Sequence, residues 1–179
     1  MQENQKKSIF TTQEIAFLAL LTAACVVGRL LFQFIPNIQP MTAIFILITT
    51  YLGISRGLVV NILSVLITNI YLGMGIWTIG QITGFSIIIL LVGVLNKWSV
   101  FHHHLFLQVG YSFLAGFIYG LVLAVIDTKI YGLSNFWAYY LGGISFDFLH
   151  AVGNSGFYLV LAPAFKRLFD KQVKRKWEL

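Results

Sequence analysis

Between Gln13 and Phe169 the sequence is a succession of long apolar runs broken only by short polar corners. A chain so patterned has few options in water. Only 10% of its residues are charged while 58% are hydrophobic, and its mean hydropathy is +0.84. A soluble domain carries about 25% charged residues, so most of this exterior has to face lipid. The runs are continuous and rich in Leu and Ile, whereas strands of a membrane barrel would alternate. The reading is an all-α polytopic integral membrane protein, a single domain over residues 1–179.

About 20 apolar residues cross the ~30 Å hydrocarbon layer as a helix. The runs predict helices over about 13–34, 41–52, 57–72, 81–95, 105–126 and 137–169, with Thr11 or Thr12 capping the first and Pro163 perturbing the last. The second is too short to cross by itself unless its flanking loop dips into the membrane. The basic residues then decide orientation. Lys6, Lys7, Arg56, Lys97, Lys166, Arg167, Lys171, Lys174, Arg175 and Lys176 fall on one side, and Arg29 and Lys129 on the other. Positive residues stay inside. A six-transmembrane-helix bundle with N- and C-termini cytoplasmic satisfies that bias and leaves the strongly basic tail 166–179 in the cytoplasm. The start of the chain resembles a signal peptide, but the apolar run passes into Gly28–Arg29 without a cleavage site, so the segment is expected to stay.

Three corners share the other side: Gly28–Thr42 (GRLLFQFIPNIQPMT), Gly73–Gln81 and Asp127–Phe136. They carry Pro, Asn, Gln, Gly and Trp, whereas the cytoplasmic corners are short and basic. An elaborated outer face above a plain inner one suits capture of a solute from outside. Candidate contacts there are Asn37, Gln39, Asn69, Tyr71, Trp77 and Gln81.

The last helix places Tyr140, Gly143, Asp147, His150, Asn154 and Tyr158 on one face. Ionisable side chains at membrane depth are costly and turn to the bundle interior or a cavity. Asp147 and His150 either pair with each other or with Arg29, or hold a ligand. Arg29 itself either reaches the headgroups, pairs with Asp147, or meets an anionic group on a ligand. Asn61, Ser64 and Thr68 read as interhelical hydrogen-bonding groups. His102–His104 cannot all face one ion and read as a polar connector. The +6 charge sits in tails and corners, which argues for topology and against nucleic acid; the lone Cys25 excludes an internal disulfide. There is no nucleotide-binding or hydrolase signature.

Ala16, Ala19 and Ala23 form a small-residue ridge on the first helix, and Gly116-x-x-x-Gly120 is a second packing motif. The six-helix layout, the Ala19-x-x-x-Ala23 ridge and the runs GRLLFQFIPNIQPMTAI, LGISRGLVV and TNIYLGMGIWTIGQ together resemble the substrate-binding S components of energy-coupling factor (ECF) vitamin transporters. They are most similar to the cobalamin-specific subgroup of lactic-acid bacteria and related Gram-positives. The resemblance implies a multi-pass protein of a bacterial plasma membrane that binds a vitamin with high affinity between its outer loops. It implies that Ala19 and Ala23 dock on a transmembrane coupling subunit, and that two ATPase subunits hydrolyse the ATP while this chain topples to release its cargo inside. On that reading the chain is no enzyme and holds no cofactor or metal. Cobalamin is the expected ligand, another vitamin such as pantothenate the variant. From a different class, Asp147 and His150 would act as an acid/base pair of an intramembrane enzyme on a lipid-linked substrate.

Overall fold

A computed structural model of the chain describes residues 11–177, with side chains through Phe169. Lys6, Lys7 and the basic side chains after Phe169 lie outside the described residues. Within them the protein is all-helical: α1 (Thr12–Leu31), α2 (Met41–Leu52), α3 (Ile54–Leu72), α4 (Trp77–Leu95), α5 (Ser99–His103), α6 (Leu105–Ile130) and α7 (Phe136–Trp177). Five of these, α1, α3, α4, α6 and α7, are long and apolar enough to cross a membrane.

The core is built around α2. Its 12 residues rise only about 18 Å, yet Met41 through Thr50 are all buried. A helix apolar on every side belongs inside a bundle, and α2 packs against α1, α3, α4, α6 and α7. Protein rather than lipid surrounds it, so it need not match the hydrocarbon thickness. Two of its threonines are satisfied within the helix: Thr49 and Thr50 donate to the carbonyls of Phe45 and Ile46 at 2.7 and 2.8 Å. Gly53, at φ 89°, supplies the left-handed turn that joins α2 directly to α3.

At that corner Arg56 meets Glu14 at 2.7 Å, the one ion pair among the described residues. Thr11 caps α1 by accepting from the Glu14 amide at 3.2 Å. The start of α1 is thereby tied to the α2–α3 turn. Asn61 joins α3 to α4 in a similar way, donating to the Ile82 carbonyl and to Ser86 Oγ.

Helices α6 and α7 form an antiparallel hairpin whose contact runs through glycine. A Cβ on Gly116 would strike the backbone of Ala151, so the expected packing motif is used here, within the chain. Further along, Tyr158 Oη donates to Gln108 Oε1 at 3.0 Å, and Gln108 Nε2 donates to the carbonyls of Phe101 and His102.

Several predicted boundaries move. α1 stops at Leu31, three residues before Phe34, because the chain must turn toward Pro36. α4 begins at Trp77, not Gln81; the glycines around Trp77 read as loop, but Gly80 packs against Leu123 of α6. α6 runs on to Ile130, which moves Asp127 from the loop into a helix. α7 continues through Pro163 rather than ending at Phe169. The polar connector contains α5, a short helix with Phe101 buried.

Candidate functional site

The turns after α1, α3 and α6 gather at one end of the bundle, called here the loop end. At that end α6 and α7 separate and leave a groove of about 430 Å³. Its floor is Asp147 and its rim carries Asp127, Tyr139 and Tyr140. Gly120, Gly142 and Gly143 line it without side chains. Among these glycines the sharpest constraint is at Gly120, where a Cβ would fall on the Asp147 carboxyl group.

Asp147 lies eleven residues into α7, roughly 16 Å along the helix. It is only 7% exposed, and no hydrogen bond or ion pair engages its carboxylate among the described residues. At the rim, Tyr139 Oη donates to Asp127 Oδ2 at 3.0 Å and joins the tips of the two helices. Phe136 stacks parallel to Tyr140, ring centres 6.0 Å apart.

The polar face of α7 divides at this floor. Tyr140, Gly143 and Asp147 line the groove. His150, Asn154 and Tyr158 are buried below it. His150 Nε2 is 2.9 Å from Thr42 Oγ1 of α2, and its ring meets Tyr119 edge-on. Tyr119 in turn stacks on Phe85 at 4.4 Å. Both amide atoms of Asn154 are buried without a partner among the described residues. Asp147 and His150 are therefore not bonded to each other: one faces the groove, the other the core.

Nor does Arg29 meet Asp147. Its Nη1 donates to Thr68 Oγ1 at 2.6 Å, joining α1 to α3. Asn37, in the left-handed region at φ 55°, donates from Nδ2 to the Phe146 carbonyl at 3.3 Å. That bond brings the 32–40 loop against one wall of the groove, since Phe146 lines it. Gln39 is half-buried beside it. Asn69 is engaged inside the bundle: its Nδ2 donates to Thr78 Oγ1 at 2.9 Å and to Gln81 Oε1 at 2.7 Å, clamping α3 to α4. Tyr71 and Trp77 project outward, 75% and 48% exposed, and do not line the groove.

Sequence reasoning did not single out Asp127, Tyr139 or Gly120 as site residues. Asp127 was the findable one, since it is the carboxylate in the third outer corner, next to the apolar run that ends at Ile126. A larger concavity of about 590 Å³ sits at the other end of the bundle, lined by residues such as Leu95, Trp98, Phe106 and Leu114. It offers a polar ligand almost no fixed contact and has the character of a surface that lipid chains fill. The α6–α7 groove is the site with chemistry.

No protein-family model, no curated protein and no solved structure matches this chain. Its function rests on its own residues. On α1, Ala16, Ala19 and Ala23 are all exposed, while Leu18, Leu21, Thr22 and Cys25 form the buried face. The small-residue ridge is thus turned away from the bundle.

Proposed function

We propose that the chain is the solute-capturing subunit of an importer, an S component of the energy-coupling factor type, in a bacterial plasma membrane. The observation that carries this reading is the α6–α7 groove, open at the loop end and floored by a buried, unpaired carboxylate. Pockets of about 300–1,000 Å³ bind small ligands, and 430 Å³ lies in that range. The charge pattern supports orienting the groove outward: of the 12 lysines and arginines, all but Arg29 and Lys129 belong to the opposite end or the tails. With α2 counted as a sixth, wholly enclosed span, both termini lie in the cytoplasm.

The outward-facing Ala16–Ala19–Ala23 ridge supports docking on a membrane partner, because small side chains let another helix approach closely. ATP hydrolysis then belongs to partner ATPases, and this chain contributes capture and delivery. Between the two ligand readings, the groove volume favours a vitamin smaller than a corrinoid. The enzyme reading loses its acid/base pair, since His150 is held by Thr42 and buried away from Asp147.

The test is an equilibrium binding screen of the purified chain against labelled B vitamins, cobalamin and cobinamide included. Saturable binding of one vitamin supports capture. A chain that binds none of them is no S component.

A further inference from the structure

The chemistry of the groove specifies more than its size. Eleven residues line it, among them two carboxylates, Asp127 and Asp147, two phenols, and no lysine, arginine or histidine. Lys129, two residues beyond Asp127, is exposed and pairs with neither carboxylate. Arg29 donates to Thr68 and forms no ion pair with either carboxylate. No positive side chain lines the groove or pairs with its carboxylates among the described residues.

A carboxylate more than nine-tenths buried and without a partner is costly to keep. An asparagine at position 147 would fill the same space at less cost. The neighbouring helix accommodates the residue too, since only a glycine at position 120 leaves the carboxyl group in place. The aromatic residues beside it, Tyr139, Tyr140 and Phe146, are of the kind whose electron-rich ring faces attract cations. Asp127 stands seven residues from Gly120 along α6, roughly 10 Å nearer the mouth, and its bond from Tyr139 leaves its other oxygen unoccupied.

We propose that the groove takes a small organic cation, an ammonium or a positively charged heteroaromatic ring, which seats its charge on Asp147. Asp127 at the rim draws the cation in, and the glycine-lined walls at 120, 142 and 143 let a flat ring lie close to the backbone. This rests on the reading of the groove as the capture site and names the class of solute it captures. An anionic vitamin such as pantothenate is excluded by the same charges.

Three molecules of one shape and different charge make the test: 1-methylnicotinamide (cation), nicotinamide (neutral) and nicotinate (anion). Each is titrated at millimolar concentrations into the purified full-length chain in nanodiscs, with binding read by calorimetry and by the shift in thermal unfolding. The cation is expected to bind and stabilise, with nicotinamide and nicotinate weaker by about tenfold or more. Asp147→Asn is expected to abolish that preference while unfolding at the same or a higher temperature than the parent, because the buried charge is gone. Asp127→Asn is expected to slow association and flatten its salt dependence with the equilibrium preference kept.

Absence of any charge preference, a preference for the anion, or full cation binding in Asp147→Asn would each overturn the proposal. Its failure is separable from failure of capture. A neutral or anionic vitamin binding in the screen keeps the capture reading and removes the cation. Cation binding by a chain that supports no uptake with any partner module keeps the cation and removes the importer.

Discussion

The Asp147 carboxyl group occupies the space that a side chain on Gly120 would fill. A motif that reads as helix packing thus has two jobs one turn apart: Gly116 brings the α7 backbone close, and Gly120 makes room for a charge. Gly120→Ala is expected to destabilise the protein by about 1–3 kcal/mol, the usual cost of overpacking, and to displace Asp147. Gly142→Ala, on the same groove but with nothing near its Cβ, is expected to be at least as stable as the parent, by up to about 1 kcal/mol, because alanine favours the helix interior. Thermal unfolding of the two variants side by side is the check. Equal losses would mean that the glycines matter for backbone freedom rather than for space.

His150 and Thr42 hold α7 to the first turn of α2. Thr42→Val removes the hydroxyl and leaves a buried ring nitrogen unpaired, which costs roughly 1–3 kcal/mol. Thr42→Ser is expected to restore most of that stability. Both variants keep Asp147 untouched, so their ligand affinity per folded molecule is expected to match the parent. An affinity that falls in Thr42→Val and returns in Thr42→Ser would place His150 in the site after all.

The α1 ridge is tested by pairing a face with its opposite. Ala19→Trp projects from the exposed side of α1, so the variant is expected to fold and bind ligand with unchanged affinity while losing transport. Leu18→Trp enters the core, where Leu18 is 4% exposed, and is expected to fail as a folded protein. Transport retained in Ala19→Trp would move the docking surface elsewhere.

Orientation is open to cysteine labelling with little background, because Cys25 is fully buried. Ser134→Cys, at the loop end, is expected to react with a membrane-impermeant maleimide added to intact cells. Lys97→Cys, at the other end, is expected to react only after permeabilisation. The reverse pattern would put the groove in the cytoplasm and contradict the proposed role in import.

Much of the bundle is legible in the sequence because apolar run length reports directly on helices that face lipid. The bounds of α2, Met41 and Leu52, can be read from its run, and the cap of α1 narrows to Thr11 or Thr12, of which the structure uses Thr11. What the run cannot report is that α2 is enclosed on all sides, since enclosure depends on five other helices. The stripe on α7 identifies Asp147, His150 and Asn154 as inward-facing by spacing alone. Spacing along one helix does not say which neighbour each residue meets, and here the face divides between a groove and a core. Asn69 and Gln81 illustrate the same limit: both lie near the loop end, as expected, and they hydrogen-bond each other. The α6–α7 groove escapes sequence reading because it needs Gly120, Asp127 and Asp147 at once, and only the antiparallel register of the two helices brings those together.

The most direct measurement is equilibrium binding of the vitamin that the screen identifies, made on the parent chain and on Asp147→Asn under identical conditions. Saturable binding to the parent is expected, with an affinity at least about tenfold lower in Asp147→Asn and the variant no less stable than the parent. Equal affinity in the two proteins would mean that the groove between α6 and α7 is not where this chain holds its solute.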